Sequence, residues 1–152
     1  MSKTFFPPLD ITAQWGRLNE SIVSLVDYVP EDKLEWSPRE DLWNFKGILL
    51  HTIMTRDSWL DNAVKDGQET PNVLELAQTK YDMKNQLRRS WERLQPFLRD
   101  AAKLSTEYET PRGTVGGHWI AFHLLEHDIH HRSDIFHYLA LLGIEHPEVG
   151  TP

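Results

Sequence analysis

Apolar side chains recur at three- and four-residue spacings along most of this chain, which is the period of an α-helix. In the first such segment the recurring residues are Ile11, Trp15, Leu18, Ile22, Leu25 and Val29. In the third segment they are Tyr81, Leu87, Trp91, Leu94 and Leu98. The four segments cover residues 10–29, 44–65, 72–103 and 115–142. Four helices of this length predict an all-α fold, a four-helix bundle formed as one domain over residues 1–152.

Residues that begin, break or end helices separate these segments from one another. Asn44 and Asn72 are suited to cap the second and third helices, and Gly143 is suited to follow the last one. Pro96 should kink the third helix or mark a break near its end. Residues 105–111 are expected to form an extended connection without a sheet, and the long connection before the last helix permits a crossover. The residues after Gly143 are expected to be irregular.

Composition and charge exclude several classes of protein. None of the 152 residues is Cys, so disulfides, Cys-ligated zinc and Cys nucleophiles are excluded. The lack of Cys fits a reducing, cytoplasmic location, and the apolar run at the start is too short for a signal peptide. No stretch of about 18 apolar residues occurs, so no membrane-spanning helix is expected. The net charge is −7 with scattered Lys and Arg, so no nucleic-acid partner is expected.

Histidine is concentrated in the last quarter of the chain, which holds seven of the eight His residues. On a helix that advances about 100° per residue, His131 lies about 40° from His127, His123 about −40° and Asp134 about −20°. Two His residues four apart on a helix can bind one metal ion with little loss of side-chain entropy. The overlapping pairs His123–His127 and His127–His131 therefore predict a metal site, against the alternative that the clustering is an accident of composition.

A tight metal site needs a third ligand from another part of the chain. His51 is the only His outside the C-terminal region, and it falls in the middle of the second predicted helix. Its helical face also carries Ile48, Thr55, Ser58 and Asn62, whose mostly small, polar side chains predict a hydrated pocket. The alternative is a single His that is hydrogen-bonded within the core, since buried polar groups normally find partners.

The last predicted helix has a second apolar side, opposite the histidines. A helix that is apolar on both sides cannot expose one of them to water, so either another helix or a second subunit should cover it. The residues of this side are Leu125, Ile129, Phe136 and Leu139, flanked by Phe122 and Ala140.

The last helix resembles that of DinB-like proteins in the segment His123-Leu-Leu-Glu-His127-Asp-Ile-His-His131-Arg-Ser-Asp-Ile-Phe-His-Tyr-Leu139 and in Leu141-Leu-Gly-Ile144. That family commonly reads Glu-His-Glu-Ile-His-His-Arg-Gly-Gln there, followed by Tyr-Leu and Leu-Leu-Gly. The segments Leu34-Glu-Trp36-Ser-Pro38 and Trp43-Asn-Phe-Lys-Gly-Ile-Leu-Leu-His51 resemble the family's approach to its first ligand His. The resemblance extends from the first helix to Gly143.

The resemblance implies a four-helix bundle in the up-up-down-down order with a long crossover connection. It also implies that His51, His127 and His131 are the metal ligands, and that the protein forms a homodimer. Where the family has Gly-Gln, this chain has Ser133-Asp134. The carboxylate of Asp134 has several open roles: a fourth ligand, a hydrogen-bond partner of a ligand His, a catalytic base for a bound water, or a solvated side chain without a role.

Three neutral imidazoles with an open position on the ion are typical of catalytic metal sites. Zinc, nickel and iron all suit such a divalent transition-metal site. Relatives implied by the resemblance include S-transferases and isomerases that use low-molecular-weight thiols. We therefore expect a metal-dependent enzyme that acts on a small molecule, by transfer of a small thiol or by metal-assisted hydrolysis. The alternatives are a non-catalytic stress-response module that binds metal or ligand, and a helical bundle without metal.

Overall fold

The computed structural model describes residues 10–147, and the predicted irregular tail lies outside the described residues beyond Pro147. Within this range, short helical turns at Glu31–Lys33 (a 3-10 helix) and Leu60–Val64 (a π-helix) accompany six α-helices and one hairpin. The elements are α1 (Ile11–Tyr28), α2 (Phe45–Trp59), α3 (Val73–Leu76), α4 (Lys80–Leu98), α5 (Ala101–Leu104), β1 (Glu107–Thr110), β2 (Gly113–Gly116) and α6 (Gly117–Leu141).

Side-chain caps fix the starts of the first two long helices. The carboxylate of Asp10 accepts a hydrogen bond from the backbone N–H of Ala13 at 2.9 Å, and α1 follows. The side chain of Asn44 accepts one from the backbone N–H of Gly47 at 2.7 Å, which confirms Asn44 as the N-cap of α2. These bonds satisfy N–H groups that have no partner within the helix, so the sequence sets where His51 falls along α2.

The prediction of one helical region over residues 72–103 is wrong, because the chain forms α3, α4 and α5 there. Thr79 and Asp82 form a capping box, in which each side chain accepts a hydrogen bond from the other residue's backbone N–H. That box starts α4 afresh after α3 has ended. Tyr81, predicted to be buried, is 74% exposed because it lies in the first turn of α4 on its outer side. Pro96 lies in the last turn of α4, near its end as predicted.

The connection before the last helix contains a sheet, so the prediction of an extended segment without one is wrong. Strands β1 and β2 pair antiparallel, with Thr110 opposite Gly113 at the turn. Gly113 has a φ of 118°, which a residue with a side chain rarely adopts. Beyond β2, the backbone of α6 starts so close to α5 that a Cβ on Gly117 would collide with backbone atoms of Lys103 and Leu104.

Helices α1, α2, α4 and α6 pack side by side, which confirms the predicted all-α bundle. The order around the bundle is α1, α4, α2 and α6, so α1 lies diagonally opposite α2. Each long helix contributes to one apolar core, in which Trp15, Phe45, Leu87 and Ile120 are at most 1% exposed. None of the described helices is long and apolar enough to cross a membrane.

The directions of the four long helices differ from the expected up-up-down-down order. Helix α1 is antiparallel to α4, α4 is parallel to α2, and α2 is antiparallel to α6, so the order is up, down, down, up. Between α1 and α4, the contacts that fix the directions are Glu20 with Arg88 and Asp27 with Lys84. Between α2, with the π-helical turn that follows it, and α4, they are Asp57 with Arg89 and Asp61 with Arg93. Between α2 and α6, they are His51 with His131 and Trp59 with Trp119.

The long crossover joins α2 to α4 and not α4 to α6. Since α2 and α4 are parallel neighbours, residues 60–79 must return along the length of the bundle before α4 can begin. Helices α2 and α6, in contrast, lie antiparallel and in direct contact. This antiparallel pair brings residues from distant parts of the sequence to one level of the bundle.

The apolar side of α6 opposite the histidines divides into covered and uncovered parts. Leu139 is fully buried in the bundle core, whereas Phe122 is 62% exposed and Ile129 is 45% exposed. Leu125 and Phe136 are half-buried. Neighbouring helices therefore cover only part of this side.

Candidate metal centre

Three histidines from two antiparallel helices meet between α2 and α6. His51 Nε2 lies 2.8 Å from His127 Nε2, and His127 Nε2 lies 3.1 Å from His131 Nε2. Each residue offers one ring nitrogen within 4.8 Å of those of the other two. Because α2 packs directly against α6, His51 faces two successive turns of α6, which carry His127 and His131.

Trp43 holds two of the imidazoles from outside the cluster. Its ring meets that of His51 edge-on at 4.1 Å and stacks nearly parallel to that of His131 at 6.1 Å. Trp43 directly precedes the residue that caps α2, so the start of that helix also places this ring. The hydroxyl of Thr55, one turn after His51, lies 3.5 Å from His51 Nδ1, on the side of the ring away from the other two histidines.

Asp134 lies behind His131 and not among the three converging nitrogens. Its Oδ2 is 3.0 Å from His131 Nδ1 and 3.6 Å from Nε2 of the exposed His130. A carboxylate there accepts the Nδ1–H of His131 and leaves the Nε2 lone pair directed at His127. His130, His131 and Asp134 are also close enough to offer three ligand atoms to an ion, although this second group shares His131 with the first.

The surroundings keep the three imidazoles neutral near pH 7. Burial, together with the charge that His131 and His51 would carry, lowers the pKa of His127 to about 3. Burial and the proximity of His131 lower the pKa of His51. Burial also lowers the pKa of His131, although its hydrogen bond to Asp134 opposes the shift. Neutral imidazoles are the form that binds metal ions.

Hydrogen bonds alone leave this cluster poorly satisfied. With Nδ1–H of His131 bound to Asp134, its Nε2 carries a lone pair, and His127 Nδ1 is buried without a hydrogen-bond partner among the described residues. A proton on His127 Nδ1 then leaves its Nε2 lone pair facing that of His131. Two nitrogens on one ion at bond lengths of about 2.0–2.1 Å lie about 2.9 Å apart at a right angle and about 3.3 Å apart at a tetrahedral angle. The separations of 2.8 and 3.1 Å fit a divalent transition-metal ion between these rings.

His123, which the helical wheel put on the ligand face, does not join the cluster. Its ring stacks on Trp119 at 4.9 Å with an angle of only 6° between the planes. Its centroid is 6.3 Å from that of His127, and the ring of Trp59 approaches it at 5.5 Å. Trp119 is 48% exposed. These three rings form an aromatic row beside the histidine cluster.

The polar residues predicted on the face of His51 lie mostly on the solvent-exposed side of α2 and of the turn that follows it. Ser58 and Asn62 are exposed, and the amide nitrogen of Asn62 donates to the backbone oxygen and the hydroxyl of Ser58 at 3.0 and 3.1 Å. Thr55 is half-buried, so it is the member of this face that adjoins the imidazoles, whereas Ile48 is part of the core.

Sequence reasoning missed a buried ion pair beside the cluster. Arg56 and Asp128 are both 0% exposed, and Arg56 Nη2 lies 2.8 Å from Asp128 Oδ2. The helical wheel that revealed the histidines also carried the signal, because Asp128 shares the face of Leu124 and Ile135. A charge among core positions indicates a buried partner, since an unpaired buried charge is strongly unfavourable.

The chain matches proteins of one family along its whole length. Residues 1–152 match the model of the DinB family. The crystal structure of a DinB-like protein from Bacillus subtilis is similar at a TM-score of 0.69 and 17% identity, covering 93% of this chain and 95% of that one. That of a DinB-like protein from Bacillus cereus is similar at a TM-score of 0.68 and 16% identity, covering 91% and 94%. No curated protein matches the chain.

Proposed function

This chain belongs to the DinB family, and we propose that it binds one divalent transition-metal ion through His51, His127 and His131. The observation that carries the proposal is the convergence of three Nε2 atoms, two pairs of which are 2.8 and 3.1 Å apart. Zinc, nickel and iron are the candidate ions, since all three bind imidazole well.

The site supports catalysis better than a purely structural role. A structural zinc site has four protein ligands, whereas three protein ligands leave a position for water or substrate. Asp134 is engaged at His131 Nδ1, so we assign it the role of orienting that ligand and leave the further position on the ion free. The bound ion would supply Lewis acidity, which favours ionisation of a water or a thiol at neutral pH.

We propose a small molecule as the substrate, with a low-molecular-weight thiol as the nucleophile and transfer of that thiol as the reaction. The neutral imidazoles support this choice, because they leave the full charge of the ion available to a thiolate. The half-exposed rings of Trp43 and Trp119 lie on either side of the imidazoles and offer apolar surface to the carbon part of a substrate. Metal-assisted hydrolysis needs the same ion and is the second candidate reaction.

One observation favours a non-catalytic stress-response module that binds metal or ligand. Among residues 10–147, Asp134 is the carboxylate that contacts an imidazole of the cluster, and within the cluster it contacts His131 alone. No carboxylate is therefore free to act as a general base beside the cluster in the described part of the chain. Thiol transfer needs no such base when the ion itself favours the thiolate, which is why we prefer it to hydrolysis.

We further propose that the protein forms a homodimer through the uncovered apolar part of α6. Phe122 and Ile129 are large apolar residues that remain exposed there. Sedimentation of the purified protein tests this: we expect twice the monomer mass for the wild type and the monomer mass for the Phe122→Ser/Ile129→Ser variant. A monomeric wild type at micromolar concentration would exclude the homodimer.

The metal content of the purified protein tests the proposed function. We expect one divalent ion per wild-type chain and loss of the ion in His127→Ala, because His127 lies between the other two ligands. His137→Ala is the matched control, since His137 lies on the same helix but is exposed. Full metal content in His127→Ala would overturn the proposal.

A further inference from the structure

The Arg56–Asp128 pair lies at the centre of the bundle and is fully removed from water. Asp128 Oδ2 accepts hydrogen bonds from Arg56 Nη2 at 2.8 Å and from Arg56 Nε at 3.1 Å. Both side chains are 0% exposed. A buried ion pair is weak evidence for stability, because the desolvation of two charges can exceed their mutual attraction. The presence of the pair therefore calls for a reason other than stability.

The two charges sit on the two helices that carry the three histidines. Arg56 lies on α2, five residues after His51, and Asp128 directly follows His127 on α6. Successive side chains on a helix are about 100° apart, so fixing the direction of Asp128 also fixes the direction of His127. The pair thereby sets both the rotation of α6 and its separation from α2 at the level of the cluster.

Further hydrogen bonds anchor the pair to the other two long helices. On α1, the indole N–H of Trp15 donates to Asp128 Oδ2 at 2.8 Å, and Asn19 Oδ1 accepts from Arg56 Nη1 at 2.9 Å. On α4, Ser90 Oγ accepts from the same Arg56 nitrogen at 3.1 Å. Through this network, side chains from all four long helices hold the part of α6 that carries His127.

The network is not fully satisfied, which argues against a role in stability alone. Asp128 Oδ1 and Asn19 Nδ2 are buried without hydrogen-bond partners among residues 10–147. An unsatisfied buried polar atom is unfavourable, and a partly satisfied polar network stabilises less than an apolar core. The arrangement is therefore better explained by the geometry that it imposes.

We propose that Arg56 and Asp128 are positioning residues, whose ion pair sets the rotation of α6 so that His127 and His131 face His51. The inference rests on the metal site of the proposed function, and neither residue is a ligand. The pair aligns the imidazoles before the ion arrives, so that binding requires little rearrangement of the two helices.

The test compares metal affinity with stability in a double variant that replaces the charges by apolar side chains. Arg56→Met/Asp128→Leu should fold, with only a modest change in the stability of its metal-free form. The charges no longer have to be desolvated, which offsets the hydrogen bonds that Trp15 Nε1 and Asn19 Oδ1 lose. We expect its zinc dissociation constant to rise by about 10- to 100-fold, the usual effect of losing a group that orients a ligand. The visible spectrum of bound cobalt should change as well, because the ligand geometry is no longer fixed.

The matched control is Asp57→Leu/Arg93→Met, which removes a buried ion pair between α2 and α4. It also removes the contacts of these two residues with Arg89, Asp61 and Asp66. Asp57 Oδ1 lies 3.1 Å from Arg93 Nη1, and the side chains are 3% and 6% exposed. Helix α4 carries none of the three histidines, so zinc affinity and the cobalt spectrum should stay as in the wild type. If the apolar double variant does not fold, Asp128→Asn provides the same test, because it keeps the shape of the side chain and weakens the pair.

Three outcomes separate the possibilities. Weaker zinc binding and an altered cobalt spectrum in the double variant, with an unchanged control, support the positioning role. Wild-type affinity and spectrum in the double variant or in Asp128→Asn overturn it while leaving the metal site intact. A wild-type chain that binds neither zinc nor cobalt overturns the proposed function itself, and this inference with it.

Discussion

The three imidazoles differ in what holds each of them. His131 donates through Nδ1 to Asp134, His51 packs against Trp43, and His127 has no hydrogen-bond partner at Nδ1 among the described residues. Outside its contacts with the other two imidazoles, His127 is therefore positioned by its helix, and neighbouring side chains position the helix. Substitutions at the surrounding residues should consequently affect metal binding in different ways.

Asp134→Asn should weaken metal binding without abolishing it. The amide cannot accept the Nδ1–H of His131 as strongly as a carboxylate, so the ligand loses orientation and basicity. We expect the zinc dissociation constant to rise about 10- to 100-fold at an unchanged stoichiometry of one ion per chain. Competition with a coloured chelator measures this, with the exposed Glu126→Gln on the same helix as the control. Unchanged affinity would show a solvated carboxylate, and complete loss of the ion would show a direct ligand.

The stability of the metal-free protein should depend on the protonation of His127. The pKa of this His is lowered to about 3 in the folded chain, whereas in the unfolded chain it is about 6.5. The unfolded state then binds more protons between these values. The contribution of His127 to the free energy of unfolding is therefore fully present above about pH 6.5, and it is lost progressively as the pH falls towards 3.

Urea unfolding in the presence of a chelator, at several pH values between 7.5 and 4.5, measures this dependence. His127→Gln is the reference, because it lacks the titrating ring and keeps every other group that titrates in this range. The wild type should lose more unfolding free energy on acidification than the variant does. Parallel losses in the two proteins would contradict the lowered pKa of His127.

The three histidines could be predicted from the sequence, whereas the ion pair that positions them could not. The four-residue spacing of His127 and His131 is a local property of a helix. His51 was the one His outside the C-terminal region that could supply a third ligand, and the resemblance to DinB-like proteins implied the same residue. The partnership of Arg56 with Asp128 joins residues 72 positions apart. A helical wheel can reveal a charge on a buried face, but only the packing of a second helix identifies its partner.

The short elements were harder to predict than the long helices. The bounds of α1 and α6 agree with the predicted segments to within two residues. Helix α2 ends at Trp59, and the π-helical turn Leu60–Val64 continues it to the predicted end. Strands β1 and β2 have four residues each and no clear alternation of buried and exposed side chains over both strands. Their pairing depends on the turn at Gly113, which sets the register. A local pattern this short carries too little information to distinguish a hairpin from an extended connection.

Gly117→Ala should destabilise the protein because α6 starts against α5. An added Cβ would collide with the backbone of Lys103 and Leu104, which cannot move aside as a flexible side chain can. We expect a loss of about 1–3 kcal/mol of unfolding free energy, the usual effect of overpacking. Urea unfolding measures this, with Gly116→Ala as the control, since a Cβ there has no atom within 4 Å. Equal stability of the two variants would show that the close approach of α5 and α6 is not required.

The up-down-down-up arrangement of the four long helices creates the site. It places α2 antiparallel to α6 and in contact with it, although 76 positions of sequence separate His51 from His127. The three- and four-residue spacing of apolar side chains predicted the all-α bundle. It did not predict the directions of the helices, because this spacing does not indicate which connection crosses the bundle. The crossover over residues 60–79 is set by the packing of α2 beside α4, which only the folded chain defines.

Ligands from two helices should share one ion, and X-ray absorption spectroscopy of the zinc-loaded protein counts these ligands. We expect three imidazoles at about 2.0–2.1 Å with at least one further light-atom ligand from solvent. His51→Ala should lose one imidazole from the zinc shell or lose the ion, while the exposed His137→Ala should match the wild type. Fewer than three imidazoles in the wild type, or the same number in His51→Ala, would contradict a site shared between α2 and α6.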